Sequence, residues 1–82
     1  MKVGSFTKLK MHDVVDVSGG RYMGKVVDVL IDIEEGVLDG LIVSGNGLFA
    51  QKMVVSYKAV ELIGADVVLV NLGLVEDEKR SV

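Results

Sequence analysis

Cysteine is absent from this 82-residue chain. That removes disulfides, thiolate zinc sites and cysteine nucleophiles together, and makes a reducing cytoplasm the expected compartment. Histidine occurs once, at His12, so any Ser-His-Asp arrangement would have to use it, with Asp13 or Asp16 as orienter. No serine stands in a nucleophile turn, since Val43-Ser44-Gly45 lacks both the glycine spacing and the α/β setting. The aromatics Phe6, Tyr22, Phe49 and Tyr57 are too few and too dispersed for the stacking platform of a single-strand binder, and are expected as core or interface anchors. No apolar run approaches the roughly 18 residues of a spanning helix, and Met1 to Lys10 has no apolar segment flanked by charge. A soluble, uncleaved chain is expected.

Apolar residue types make up 50% of the sequence, with a mean hydropathy of +0.47. One small core cannot hide that much apolar surface, so part of it is expected against another chain. Net charge is −3, which argues against general attraction to a phosphate backbone. Its distribution is uneven: residues 1 to 25 carry five bases against two acids, and the rest of the chain carries four bases against ten acids.

Short runs of Val, Ile and Leu bounded by glycine read as strands, and signals for long helices are scarce. Strands are expected at His12 to Val17, Tyr22 to Ile33, Val37 to Ser44, Met53 to Tyr57, Val60 to Ile63 and Val67 to Leu72. In the second, Val27, Val29, Ile31 and Ile33 share one parity, Asp28 and Asp32 share the other, and the phase breaks near Gly24 and Val26, where a bulge would explain it. Glu34-Glu35-Gly36 turns the chain into the third strand, with Gly36 at positive φ. Gly64-Ala65-Asp66 makes a second hairpin turn. Both faces of the third strand are apolar, with Leu38 and Ile42 on one side and Leu41 and Val43 on the other. If the first pair fills the interior, the second needs a cover from outside.

Gly19-Gly20-Arg21-Tyr22-Met23-Gly24-Lys25 matches the spacing of a phosphate-binding loop. That loop must open a helix and be followed by a Ser or Thr hydroxyl for magnesium. Val26 and an alternating strand follow instead, so a β-turn is the expected structure and no nucleotide site is assigned. Asp28 and Asp32 lie about 13 Å apart along a strand, too far to share one metal ion or one scissile bond. No catalytic, cofactor-binding or metal-ligating residue is assigned.

Tyr22-Met23-Gly24-Lys25-Val26-Val27-Asp28-Val29-Leu30-Ile31-Asp32, followed by Glu35-Gly36-Val37-Leu38-Asp39-Gly40-Leu41-Ile42-Val43, resembles the opening of a PRC-barrel domain. The stretch from Met53 to Val70, with its Ile63-Gly64-Ala65-Asp66 turn, resembles the end of that domain. Two departures stand out: Ser56 where many relatives have proline, and Met11 where they often have glycine. The resemblance implies an all-β fold, a small six-stranded PRC-type β-barrel built from antiparallel hairpins over residues 1–72, with residues 73–82 as a charged C-terminal tail. It also implies no catalytic residues. The expected function is a non-enzymatic protein-interaction or adapter module working as a homodimer with a further protein partner. The alternative is an accessory factor in RNA processing or ribosome assembly acting through protein contacts, without direct nucleic-acid binding. The expected dimer face is Leu41 and Val43, with Phe49 closing its edge, and Gly36 and Gly64 are structural turns.

Overall fold

A computed structural model describes residues 4–45, 47 and 51–73. Phe49, the anticipated edge of the dimer face, lies outside the described residues, as does the tail beyond Gly73. Six strands form one sheet: β1 (Asp13–Asp16), β2 (Arg21–Asp32), β3 (Val37–Ser44), β4 (Lys52–Ser56), β5 (Val60–Ile63) and β6 (Val67–Val70). A one-turn helix, α1 (Phe6–Leu9), precedes β1, and a 3₁₀ turn (Tyr57–Ala59) joins β4 to β5. The spatial order is β4-β3-β2-β1-β6-β5, so the fold is nearly all β and fits a PRC-type barrel. One pairing departs from the expected hairpins: β1 and β6 run parallel, with Val14 beside Val68 and Asp16 beside Val70. Among the described residues the sheet is not closed, because no ladder joins β4 to β5.

The core consists mostly of valines, with Val14, Val26, Val43, Val68 and Val70 wholly buried around Leu41. Branched side chains suit the pleated surface of a twisted sheet. Alternation accounts for β1 and β6, where every second residue faces inward. It fails in β2, whose register slips against β3 between Val26 and Asp28 and again between Leu30 and Ile31. The first slip puts the extra residue, Val27, in β2, near the expected break in phase at Gly24 and Val26, and switches the parity that faces inward there; the second puts it, Asp39, in β3. Val26 is buried, Val29 is half-buried, and Ile31 and Ile33 end up exposed. Gly24, at φ 133, is buried beside the end of β3, where an added Cβ would run into the Ser44 carbonyl.

The faces of β3 are the reverse of the expectation. Leu41 and Val43 are both 0% exposed, inside the domain, so they cannot form the face of a dimer between intact domains. Two apolar faces made the parity of β3 ambiguous, and its neighbours decide it. Leu41 pairs across to Val29 and to the buried Val55, and Val43 pairs across to the buried Val26. The strands that complete the core are therefore the cover that the sequence left to a second molecule.

The β2–β3 ribbon is longer than its neighbours. Pairing with β1 reaches only Lys25 on β2, and pairing with β4 reaches only Gly40 on β3. From Leu30 to Asp39 the two strands are hydrogen-bonded to each other alone and project as a finger. Its tip is the turn Ile33-Glu34-Glu35-Gly36, closed by the Gly36 amide donating to the Asp32 carbonyl at 2.7 Å and by the Glu35 amide donating to Asp32 Oδ1 at 3.1 Å. Gly36 takes φ 69 there.

Candidate functional site

The open side of the sheet, between the base of the finger and the end of β5, holds a cavity of about 640 Å³. Each wall follows from local chemistry. Ser5 caps α1, its Oγ accepting from the Lys8 amide at 3.3 Å, and the single turn presents Phe6 and Leu9. Directly after α1, Met11 takes φ 70, a left-handed conformation that costs a side-chain-bearing residue about 1–2 kcal/mol. This kink lets the Met11 amide donate to Val26 at 2.7 Å and the Val26 amide donate back to His12 at 3.0 Å. The helix is thereby fixed against β2.

The finger supplies Val29, Ile31 and Leu38. Tyr57 comes from the 3₁₀ turn, which Ser56 caps by accepting from the Lys58 amide at 3.3 Å. Ser56 itself sits at φ −61, the value proline would impose, so the departure from the family's usual residue costs no change of backbone. Ile63 and Gly64 close the far side, where the Gly64 amide donates to the Val67 carbonyl at 2.7 Å across the β5–β6 turn.

Two polar side chains line this apolar groove besides Ser5 and Tyr57: Lys8 and His12. His12 is buried, and its Nε2 lies 2.9 Å from the Gly64 carbonyl. A carbonyl only accepts, so Nε2 carries the hydrogen and donates it. His12 thus ties α1 to the β5–β6 turn and uses neither Asp13 nor Asp16 as an orienter. The Asp13 amide donates to the Asp66 carbonyl at 3.1 Å and strengthens the same tie.

The carboxylates serve the framework. Asp13 Oδ1 accepts from Lys25 Nζ at 2.8 Å and from the Tyr22 hydroxyl at 2.9 Å. Hydrogen bonding from Lys25, then from Tyr22, holds Asp13 below the usual carboxylate range, and the same contact with Asp13 raises Lys25. The lysine of the phosphate-loop pattern is therefore a strand residue paired with an acid. Asp28 Oδ1 accepts from the Val29 amide at 2.8 Å, so Asp28, like Asp32, is engaged with nearby backbone.

Asp16, read from the sequence only as a candidate orienter of His12, gathers three hydrogen bonds on one oxygen. It stands on the inward parity of β1 and is 3% exposed. Its Oδ1 accepts from the Ser18 hydroxyl at 2.7 Å, the Ser18 amide at 3.1 Å and the Leu72 amide at 3.2 Å. Burial by itself pushes this carboxyl up. The bonds from Ser18 and Leu72, aided by Arg21, outweigh it and leave the group below its ordinary value of 3.8.

Among the described residues, no three His, Asp or Glu side chains gather where one metal ion could be held. No helix among them is long and apolar enough to cross a membrane. The groove offers apolar contact, one cation and a buried imidazole already committed to a backbone carbonyl.

Of the residues expected to matter, Gly64 lines the groove and Gly36 marks the finger tip, while Leu41 and Val43 lie in the core. Phe6 and Tyr57, expected as core or interface anchors, are walls of the groove, whereas Ile63 carried no sequence signal as a wall. The Ser5 cap followed by apolar residues three apart at Phe6 and Leu9 was a helix signal, in a run too short to stand out.

The sequence profile of the PRC-barrel domain matches residues 1–77. A curated relative, described as "Probable sporulation protein YlmC" of Bacillus subtilis (strain 168), is 31% identical over 74 residues, covering 83% of this chain and 91% of its own length. With six strands in the matching order of motifs and a family profile spanning nearly all of it, the chain belongs to the PRC-barrel family.

Proposed function

We infer that this domain is a non-catalytic protein-contact module that works in the cytoplasm as a homodimer and carries a further protein partner. The observation behind this reading is the groove, an apolar surface continuous with exposed Ile31 on the finger and with Tyr57 and Ile63 opposite. An apolar groove flanked by exposed large apolar side chains on a small domain marks a contact site.

The test is capture from cell lysate with wild type beside Tyr57→Asp, each with and without ribonuclease. Tyr57 is exposed at the groove, so the substitution should leave the circular dichroism spectrum unchanged. A defined protein retained by wild type, insensitive to ribonuclease and lost with the variant, is the expected result. An unchanged set of retained proteins would remove the groove from the function, and loss of all retained material on ribonuclease treatment would favour the RNA-linked alternative.

A further inference from the structure

We propose that the groove's occupant is the acidic finger of a second copy of this chain, exchanged reciprocally about a two-fold axis. The proposal rests on the protein-contact reading and names the partner and the mode of contact. Its first support is charge. From Leu30 to Asp39 the finger carries Asp32, Glu34, Glu35 and Asp39 and no base. Lys8 lies on the groove wall itself; Lys10 and Lys58 follow the lining residues Leu9 and Tyr57, and Asp13, Asp28 and Asp66 stand beside the lining residues His12, Val29 and Ala65. The finger therefore carries −4, and among the described residues the one lysine or acid that lines the groove is a cation, Lys8. None of these lysines and none of the four finger acids forms an ion pair among the described residues.

Shape is the second support. Ile33 at the tip is 90% exposed, an unusual setting for a residue that large at the end of a ribbon with no sheet beside it. A two-stranded ribbon alone is marginally stable in water and gains from cover. The finger cannot fill its own groove. Ile31 and Leu38, paired across its base, form a wall of that groove, and Ile33 lies two residues farther out, about 7 Å along the strand. Reaching back would require the ribbon to fold double between paired residues. A second molecule meets no such obstacle, and a two-fold arrangement makes each contact twice.

The surface available fits a modest dimer. Phe6, Ile31, Ile33, Val37, Tyr57 and Ile63 are all substantially exposed, together on the order of 500 Å² of apolar surface per copy. The charged rim brings this toward the ~800 Å² per partner of an ordinary interface. The expected complex is weak to moderate and is weakened by salt, because its rim charges are solvent-exposed.

The experiment is sedimentation velocity of the full chain at low and high salt with two charge-reversed variants, Glu34→Lys/Glu35→Lys and Lys8→Glu/Lys58→Glu. Wild type is expected to dimerise more tightly at low salt. Each variant alone should dimerise at least about tenfold more weakly, and an equimolar mixture should restore a heterodimer, since both finger–groove contacts are then of opposite sign. Ile33→Glu should be monomeric with an unchanged melting temperature. Leu62→Glu, at an exposed β5 position outside the groove, should dimerise like wild type. A monomeric wild type, a mixture that stays monomeric, or a dimer lost with Leu62→Glu and kept with Ile33→Glu overturns the proposal. Capture of the same lysate protein by Ile33→Glu, which keeps Tyr57 and the groove, would leave the protein-contact reading standing after the loss of self-recognition.

Discussion

Replacing Asp16 separates what its charge does from what its shape does. The carboxylate faces inward at the end of β1, and one oxygen takes three donors, two from Ser18 and one from Leu72. It thereby closes the turn after β1 and holds the chain leaving β6. Asp16→Ala removes all three. Ser18 is exposed, so its hydroxyl and amide can turn to water. The Leu72 amide is half-buried, and orphaning it costs about 1–3 kcal/mol. With the lost charge-assisted bonds, the total is roughly 2–4 kcal/mol. At ~0.05–0.15 kcal/mol per residue the 82 residues have about 4–12 kcal/mol of stability, so this loss is a large share of it. Asp16→Asn keeps an acceptor where Oδ1 stands, loses the charge and puts an amide NH2 where Oδ2 faces Arg21. Arg21 is 4.0 Å away with a side chain 67% exposed, so that loss is about 1 kcal/mol.

Urea unfolding followed by circular dichroism at several pH values reads both terms. The folded pKa of Asp16 is depressed below 3.8, so its ionic contribution is fully present above the unfolded value and is lost as pH falls through the folded one. The gap between wild type and Asp16→Asn should therefore be constant from neutral pH to about pH 5 and close below about pH 4. Asp13 moves in the same direction in both proteins and cancels in the difference. An Asp16→Ala protein within about 0.5 kcal/mol of wild type, or a gap to Asp16→Asn that does not narrow in acid, would refute the argument.

Met11→Gly should stabilise the domain by about 0.5–1 kcal/mol, because it relieves a left-handed side-chain-bearing residue at some entropic cost in the unfolded chain. A lower melting temperature would count against the strain. Gly36→Val should destabilise by more than about 1 kcal/mol, since φ 69 excludes a β-branched residue even though the space around it is open; an unchanged melting temperature would sink this. Leu41→Ala should cost about 2–5 kcal/mol as a core truncation, and Leu41→Lys should leave the chain unfolded at neutral pH. A folded Leu41→Lys monomer on light scattering would return that residue to an intermolecular face.

The sequence by itself determined the strands. Six runs of branched residues punctuated by glycine gave β1 to β6 nearly to the residue, since hydrophobic period and turn chemistry are local properties. Glycine at position 36 and the anomaly at Met11 were also legible, the second through family resemblance. Tertiary structure decided which side of each strand faces inward. In β3 both parities are apolar, so only Val26, Val29 and Val55 across the ladder could place Leu41 and Val43 inside. An extra residue in β2, Val27, and one in β3, Asp39, reset the alternation; the first was legible as the break in phase near Gly24 and Val26, whereas the second left no local signal because it is an ordinary Asp. The groove was equally hidden. Its walls come from Phe6, Ile31, Tyr57 and Ile63, far apart in the chain, and they meet because the parallel pairing of β1 with β6 brings the β5–β6 turn beside α1.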